Sequence, residues 1–302
     1  MADNAPPADQ ANELPRGWLT KWPWVTFLLP MVVYMAMGSF EPKPPATPSP
    51  SDSIAEADAA PTAEEMAEAF GDSGWLSKIT YEHYPYVYTA KIGLTFAAML
   101  LVLPGYRTFP WKVSGLSVAV GVVGVALWIV LCQLQLEIKV VRPIDQYLGS
   151  LLPFEPAAGE EPTIGLLKIL GAGERSAYNP LEQLQETPGW AYLFLAIRFA
   201  GLALLVPVFE EFFLRGLLMR FVIQDTWWKI PIGQVNRTAV IVGTAIPMLM
   251  HPAELLACLV WFSMVTWLMV RTRSIWDCVV AHAVTNFLLG VYVVTTGNWY
   301  LM

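Results

Sequence analysis

Glu210, Glu211 and Arg215 stand inside PVFEEFFLRGLLMRF (residues 207–221), directly after a run from 190 to 209 whose only charged residue is Arg198. No feature of the chain restricts its fold more. An ionisable side chain at bilayer depth costs about 2.5–3.5 kcal/mol on insertion scales, so such groups turn toward a protein interior or a watery cavity. Other segments must surround this one and receive its charges. A helix puts Glu211 and Arg215 on one face, where carboxylate and guanidinium pair. Glu210 then lies about 100° round the helix without that partner. One carboxylate is structural and the other is free for chemistry. The competing arrangement solvates all three among lipid headgroups at a helix end.

Composition extends this to the whole chain. Mean hydropathy is +0.48, and charged residues make up only 14% of the sequence, against about 25% in soluble domains. The expected fold is all-α, a polytopic transmembrane helical bundle of about eight spans. The net charge of −7 does not indicate a nucleic-acid binder, because the acids gather in two loops and no basic stripe occurs. Cys132, Cys258 and Cys278 fall in apolar segments without metal-type spacing, so they read as small packing residues.

In order, residues 1–22 form a polar, proline-bearing tail, and 23–136 hold three apolar spans. The first of these, 24–40, carries Pro30 and follows Arg16 and Lys21, which suits an uncleaved span with a cytoplasmic N-terminus in the inner (plasma) membrane. Within this region 41–82 is an acidic, proline-rich loop, with a short helix expected near 62–70. Tyr81, Tyr84, Tyr86 and Tyr88 suit an interfacial belt. Residues 137–189 read as a polar extracytoplasmic loop with an amphipathic helix around 164–170. From 190 to 302 the loops shorten, and spans or half-spans are expected at 190–208, 210–224, 238–251, 255–271 and 275–296, with Pro207 dividing the first two. Simple alternation then puts Arg271 and Arg273 outside, against the positive-inside tendency, so one segment should be short or re-entrant.

The chain has three histidines, and two of them, His251 and His282, lie in or beside apolar segments downstream of Glu210. Asn286 follows His282 by one helical turn. Singly, each suits interhelical packing. Glu210, His251 and His282 could alternatively form a two-histidine, one-glutamate zinc set with water as fourth ligand. Their wide spacing is no local metal motif, and Asn286 is a poor zinc ligand. Arg198, Arg220, Asp277 and Glu254 read first as snorkelling, capping or turn residues, with Arg198 the first addition if a cavity extends that far.

Together, Glu210-Glu211-x-x-x-Arg215-Gly216, His251 and His282-x-x-x-Asn286 resemble the CPBP family of intramembrane proteases, which process CAAX motifs and bacteriocins. The likeness covers about 190–296 and includes TRSIWDCVVAHAVTN (272–286). One departure is Pro247, where the family usually has phenylalanine four residues before the histidine. The resemblance implies an intramembrane endopeptidase acting on a membrane-associated protein or peptide in the lipid bilayer, with no cofactor. It assigns Glu210 and His251 to water activation, His282 and Asn286 to the oxyanion, and Glu211 and Arg215 to support of the site. A carboxylate in a desolvated cavity supplies the base such chemistry needs. The alternative is a non-catalytic membrane adaptor or immunity protein that uses the same residues as interhelical glue. A proton-relay transporter would show inverted repeats, and none is evident.

Overall fold

The computed structural model describes residues 18–42, 79–151, 162–166 and 177–302. The helix expected near 62–70 and most of the acidic loop lie outside them, as does the latter part of 164–170. The described residues form helices and connecting turns, with no strand. Eight principal helices follow in order: α1 (Val25–Gly38), α2 (Tyr84–Tyr106), α3 (Gly115–Leu134), α4 (Leu136–Ser150), α5 (Pro188–Phe221), α6 (Arg237–Met250), α7 (Leu255–Thr272) and α8 (Ile275–Thr296).

Five helical runs are long and apolar enough to cross a membrane, namely Tyr81–Tyr106, Gly115–Ser150, Pro188–Phe221, Pro252–Thr272 and Ile275–Thr296. Val25–Gly38 and Arg237–Met250 are apolar but shorter. The protein is a multi-pass membrane protein, but the described residues do not give the eight spans expected. The main difference lies at Pro207, which divides nothing: residues 188–221 form one helical run. Proline removes one backbone donor and crowds the preceding turn. Here the turn before it, Gly201–Leu205, is a π-turn, and a second π-turn spans Phe212–Leu218. The wider turns absorb what would otherwise break the helix.

That merger also resolves the conflict over basic residues. The turn after α7 lies beside the loop after α2: Ser274 Oγ donates to Lys112 O at 2.6 Å, and the rings of Trp111 and Trp276 sit 4.6 Å apart. Arg220, whose guanidinium lies over Phe109 and Trp227, ties the 222–236 segment to the same end by donating to Trp228 O and Ile230 O. Arg107, Lys112, Lys229, Arg271 and Arg273 therefore share one end of the bundle. No re-entrant segment is needed to bring them together.

At this end an aromatic core of Phe27, Phe109, Phe212 and Trp227 binds α1, the loop after α2, and α5. α3 and α8 approach closely enough to need glycine. A Cβ at Gly121 would lie 2.7 Å from Ala281 O, and one at Gly124 would lie 2.8 Å from Trp261 Nε1. Small residues allow such backbone approach in membrane bundles. Asp277, fully buried on α8, accepts from Ser114 N at 2.7 Å and Ser114 Oγ at 3.0 Å, and so caps the start of α3.

Candidate active site

Glu210 and Glu211 stand between the two π-turns of α5. Both are withdrawn from solvent, Glu210 at 8% exposure and Glu211 at 0%. Glu211 meets Arg215 at 2.5 Å between Oε2 and Nη1, the expected pair. Arg215, itself fully buried, also donates from Nη2 to Phe262 O at 3.4 Å and rests over the Phe262 ring. A buried charge needs both a counter-charge and hydrogen bonds, and Arg215 has each.

His282 reaches this pair from α8. Its Nδ1 lies 3.0 Å from Glu211 Oε1, and its Nε2 lies 3.9 Å from Glu210 Oε2. Regular α-helical spacing placed the two glutamates on different faces. In the π-distorted helix both carboxylates meet the same imidazole. The Glu211–His282 contact is thus a site interaction that sequence spacing did not reveal. A carboxylate accepts only, so Nδ1 carries the proton and Nε2 presents a lone pair in the neutral ring.

His251 ends α6. Its backbone leaves the helix at φ −128° and ψ 63°, and its Nδ1 turns back to Pro247 O at 3.0 Å. The same carbonyl accepts from His251 N at 3.1 Å. Pro247 sits inside α6 without ending it, and Pro252 opens the next turn, so the two prolines bracket the histidine. With Nδ1 donating to a carbonyl, Nε2 is again the acceptor nitrogen.

Asn286 donates from Nδ2 to Leu202 O at 2.8 Å. Leu202 lies in the first π-turn of α5, where the altered hydrogen-bond ladder leaves carbonyls for outside donors. The amide keeps a second Nδ2 proton.

Glu210, His251, His282 and Asn286 line one cavity of about 400 Å³. Tyr34, Trp128, Trp261, Tyr300, Leu301 and Met302 also line it, and sequence reasoning had assigned none of these to the site. Trp261 packs edge-on against the His282 ring at 4.6 Å and donates from Nε1 to Thr285 Oγ1 at 3.1 Å, while Thr285 donates to Gly121 O and Ala281 O. The only sequence signal for that network was the pair of glycines in α3. Glu211 and Arg215 are set behind the cavity wall. Among the described residues no group of three or more His, Cys, Asp or Glu side chains is arranged to hold a metal ion. The three cysteines are free and buried.

Residues 191–288 match the Rce1-like family of type II CAAX prenyl endopeptidases. The matched segment runs from the start of α5 through Asn286, and agrees with the resemblance seen in the sequence. It supports a membrane endopeptidase in general. α1, α2, α3 and α4 lie outside it, although Tyr34 of α1 and Trp128 of α3 complete the cavity wall. Neither the curated proteins nor the solved structures contain a match to this chain.

Proposed function

We propose that the protein is an intramembrane endopeptidase that hydrolyses a peptide bond in a membrane-associated protein or peptide. The single observation that carries this reading is the convergence of Glu210, His251, His282 and Asn286 on one cavity of about 400 Å³. That volume suits a short stretch of peptide with its attacking water.

Glu210 takes a proton from that water as oxygen attacks the scissile carbonyl, with the His251 Nε2 lone pair helping to hold the water. The carbonyl π pair moves onto oxygen, and the resulting oxyanion accepts from the second Nδ2 proton of Asn286. His282 can add a donor there only when both its nitrogens are protonated, because Nδ1–H is engaged with Glu211. Collapse of the intermediate breaks the C–N bond, and Glu210 returns its proton to the leaving amine. Each donor aimed at the oxyanion contributes on the order of 10²-fold. Glu211 and Arg215 fix the imidazole and do not touch substrate.

The reaction as proposed is independent of metal. The basic end of the bundle is assigned to the cytoplasm of the inner (plasma) membrane, with the N-terminus on that side. A membrane-anchored peptide incubated with the protein in proteoliposomes, with products identified by mass spectrometry, tests the activity. Glu210→Gln should lower cleavage by about 10²–10⁴-fold while leaving the thermal midpoint in detergent within a few degrees of wild type. Unchanged function in both Glu210→Gln and His282→Ala would leave packing as the role of these residues.

A further inference from the structure

The three arginines of α5 are engaged inside the protein. Arg198 donates to Tyr178 O and Met302 O, Arg215 pairs with Glu211, and Arg220 donates to Trp228 O and Ile230 O. Arg271 and Arg273 differ. Both are exposed, and among the described residues neither guanidinium has an ion pair or a side-chain hydrogen bond. Together they line a cleft of about 450 Å³ at the end of α7, whose other walls are Trp267 and Val270.

The cleft follows from helical spacing and one unusual residue. Trp267, Val270 and Arg271 stand at i, i+3 and i+4 on one face of α7. Trp267 is 54% and Val270 41% exposed, so this face is apolar along the span and cationic at its end. In a continued helix Arg273 would point roughly 200° away from Arg271. Instead α7 stops at Thr272, and Arg273 takes φ +54° and ψ 33°, a left-handed cap that brings its side chain to the same cleft. Glycine would fill that cap without steric cost. The neighbouring loop makes room for arginine, since a Cβ at Gly233 would lie 3.0 Å from Arg273 Cγ and 2.9 Å from Met269 O. Two like charges are thus held at one place against their repulsion, with no counter-charge among the described residues.

We propose that this cleft binds the phosphate headgroup of an anionic phospholipid, with one acyl chain laid along Val270 and Trp267. A guanidinium matches phosphate oxygens with paired hydrogen bonds, and two of them suit one phosphate group. The position also fits. Arg271 and Arg273 belong to the basic end, beside Trp111 and Trp276, and tryptophans gather where a bilayer meets its headgroups. Phosphate in solution can use the guanidiniums but gains nothing from covering Trp267 and Val270. None of these four residues lines the cavity of Glu210, so the lipid site and the peptidase reading stand or fall separately.

Native mass spectrometry of the full protein in detergent, titrated with phosphatidylglycerol, reads the binding. Wild type should hold one phosphatidylglycerol more tightly than phosphatidylcholine. Arg271→Gln and Arg273→Gln should each weaken it about fivefold, and the two together about 25-fold. Arg273→Gly keeps the left-handed turn, so it should show the same loss with an unchanged or higher thermal midpoint, which separates lipid binding from a structural role of the cap. Trp267→Ala should weaken the lipid as well, because the chain loses its floor. Lys21→Gln removes an exposed cation ahead of α1 and should leave affinity unchanged. Equal binding of phosphatidylcholine, indifference to both arginines, or an equal loss in Lys21→Gln overturns the proposal. So does displacement of the lipid by inorganic phosphate at the lipid's own concentration, or indifference to Trp267, since either marks a site for a free anion.

Discussion

His282 Nδ1 and Glu211 Oε1, 71 positions apart in sequence, lie 3.0 Å apart in the middle of the bundle. The contact links the Glu211–Arg215 ion pair to the imidazole that faces Glu210, and so gives the two adjacent carboxylates different tasks. Glu211 is held between two cationic or donor groups, Arg215 and His282. Glu210 lines the cavity, with His282 Nε2 at 3.9 Å.

The two glutamates should respond differently to the same substitution. Glu210→Gln keeps the fold and lowers turnover by about 10²–10⁴-fold, the usual contribution of a positioned base. Glu211→Gln leaves Arg215 buried without its counter-charge and costs about 3–5 kcal/mol of stability. Pairing it with Arg215→Met should recover much of that stability but not the full activity, because the neutral glutamine oxygen is a weaker acceptor for His282 Nδ1–H than the carboxylate. Thermal denaturation in detergent alongside initial rates separates these outcomes. Equal thermal midpoints for the two single variants would contradict the division of labour.

The imidazole can be tested one nitrogen at a time. In His282→Asn the amide nitrogen can take the place of Nδ1 and keep the bond to Glu211, but nothing replaces Nε2. In His282→Gln the amide reaches toward the Nε2 position, and the bond to Glu211 is lost. The first variant should melt near wild type and lower kcat, by up to about 10²-fold where the doubly protonated ring supplies an oxyanion donor from Nε2. The second should melt lower while retaining more of its rate than the first. The reverse ranking of rates would place the function of His282 at Nδ1.

Sidedness yields to labelling, since the native cysteines are all buried. Lys229→Cys and Arg271→Cys occupy exposed positions at the basic end, and Glu186→Cys is exposed in the segment before α5. A membrane-impermeant maleimide added to intact cells should modify Glu186→Cys alone. In inside-out vesicles it should modify the other two. Labelling of Glu186→Cys and Lys229→Cys from the same side would be incompatible with α5 as one continuous span.

Chelation addresses the zinc alternative directly. Incubation with 1,10-phenanthroline or EDTA should leave the cleavage rate unchanged, and added zinc should not raise it. Loss of activity on chelation with recovery on zinc addition would reassign Glu210, His251 and His282 as ligands.

The all-helical membrane architecture was legible because hydropathy is a bulk property, readable without knowing any contact. Glu210, His251, His282 and Asn286 were legible because a polar group in an apolar segment is costly and so stands out. What could not be read depends on backbone detail or on contacts between distant segments. Period-based reasoning assumes regular turns, and the π-turns around Glu210 and Glu211 change both the facing of the carboxylates and the effect of Pro207. Trp261 and Tyr300 look like any aromatic residue in an apolar segment, and only packing brings them to the cavity.

The same reasoning makes Gly124 a test of whether α3, which lies outside the matched segment, belongs to the site. A side chain there meets Trp261 Nε1 at 2.8 Å and Thr285 Oγ1 at 3.1 Å, so it must push apart the bond that braces the ring beside His282. Gly124→Val should cost about 1–3 kcal/mol through overpacking and should also lower kcat. Gly115→Ala serves as the control, because a Cβ at that position meets nothing within 4 Å. Combining Gly124→Val with Trp261→Phe removes the indole nitrogen that the new side chain strikes. That double variant should regain stability relative to Gly124→Val, yet should stay slow because Thr285 no longer holds the ring against His282. Full recovery of rate in the double variant would mean that the Trp261–Thr285 bond does not position the imidazole.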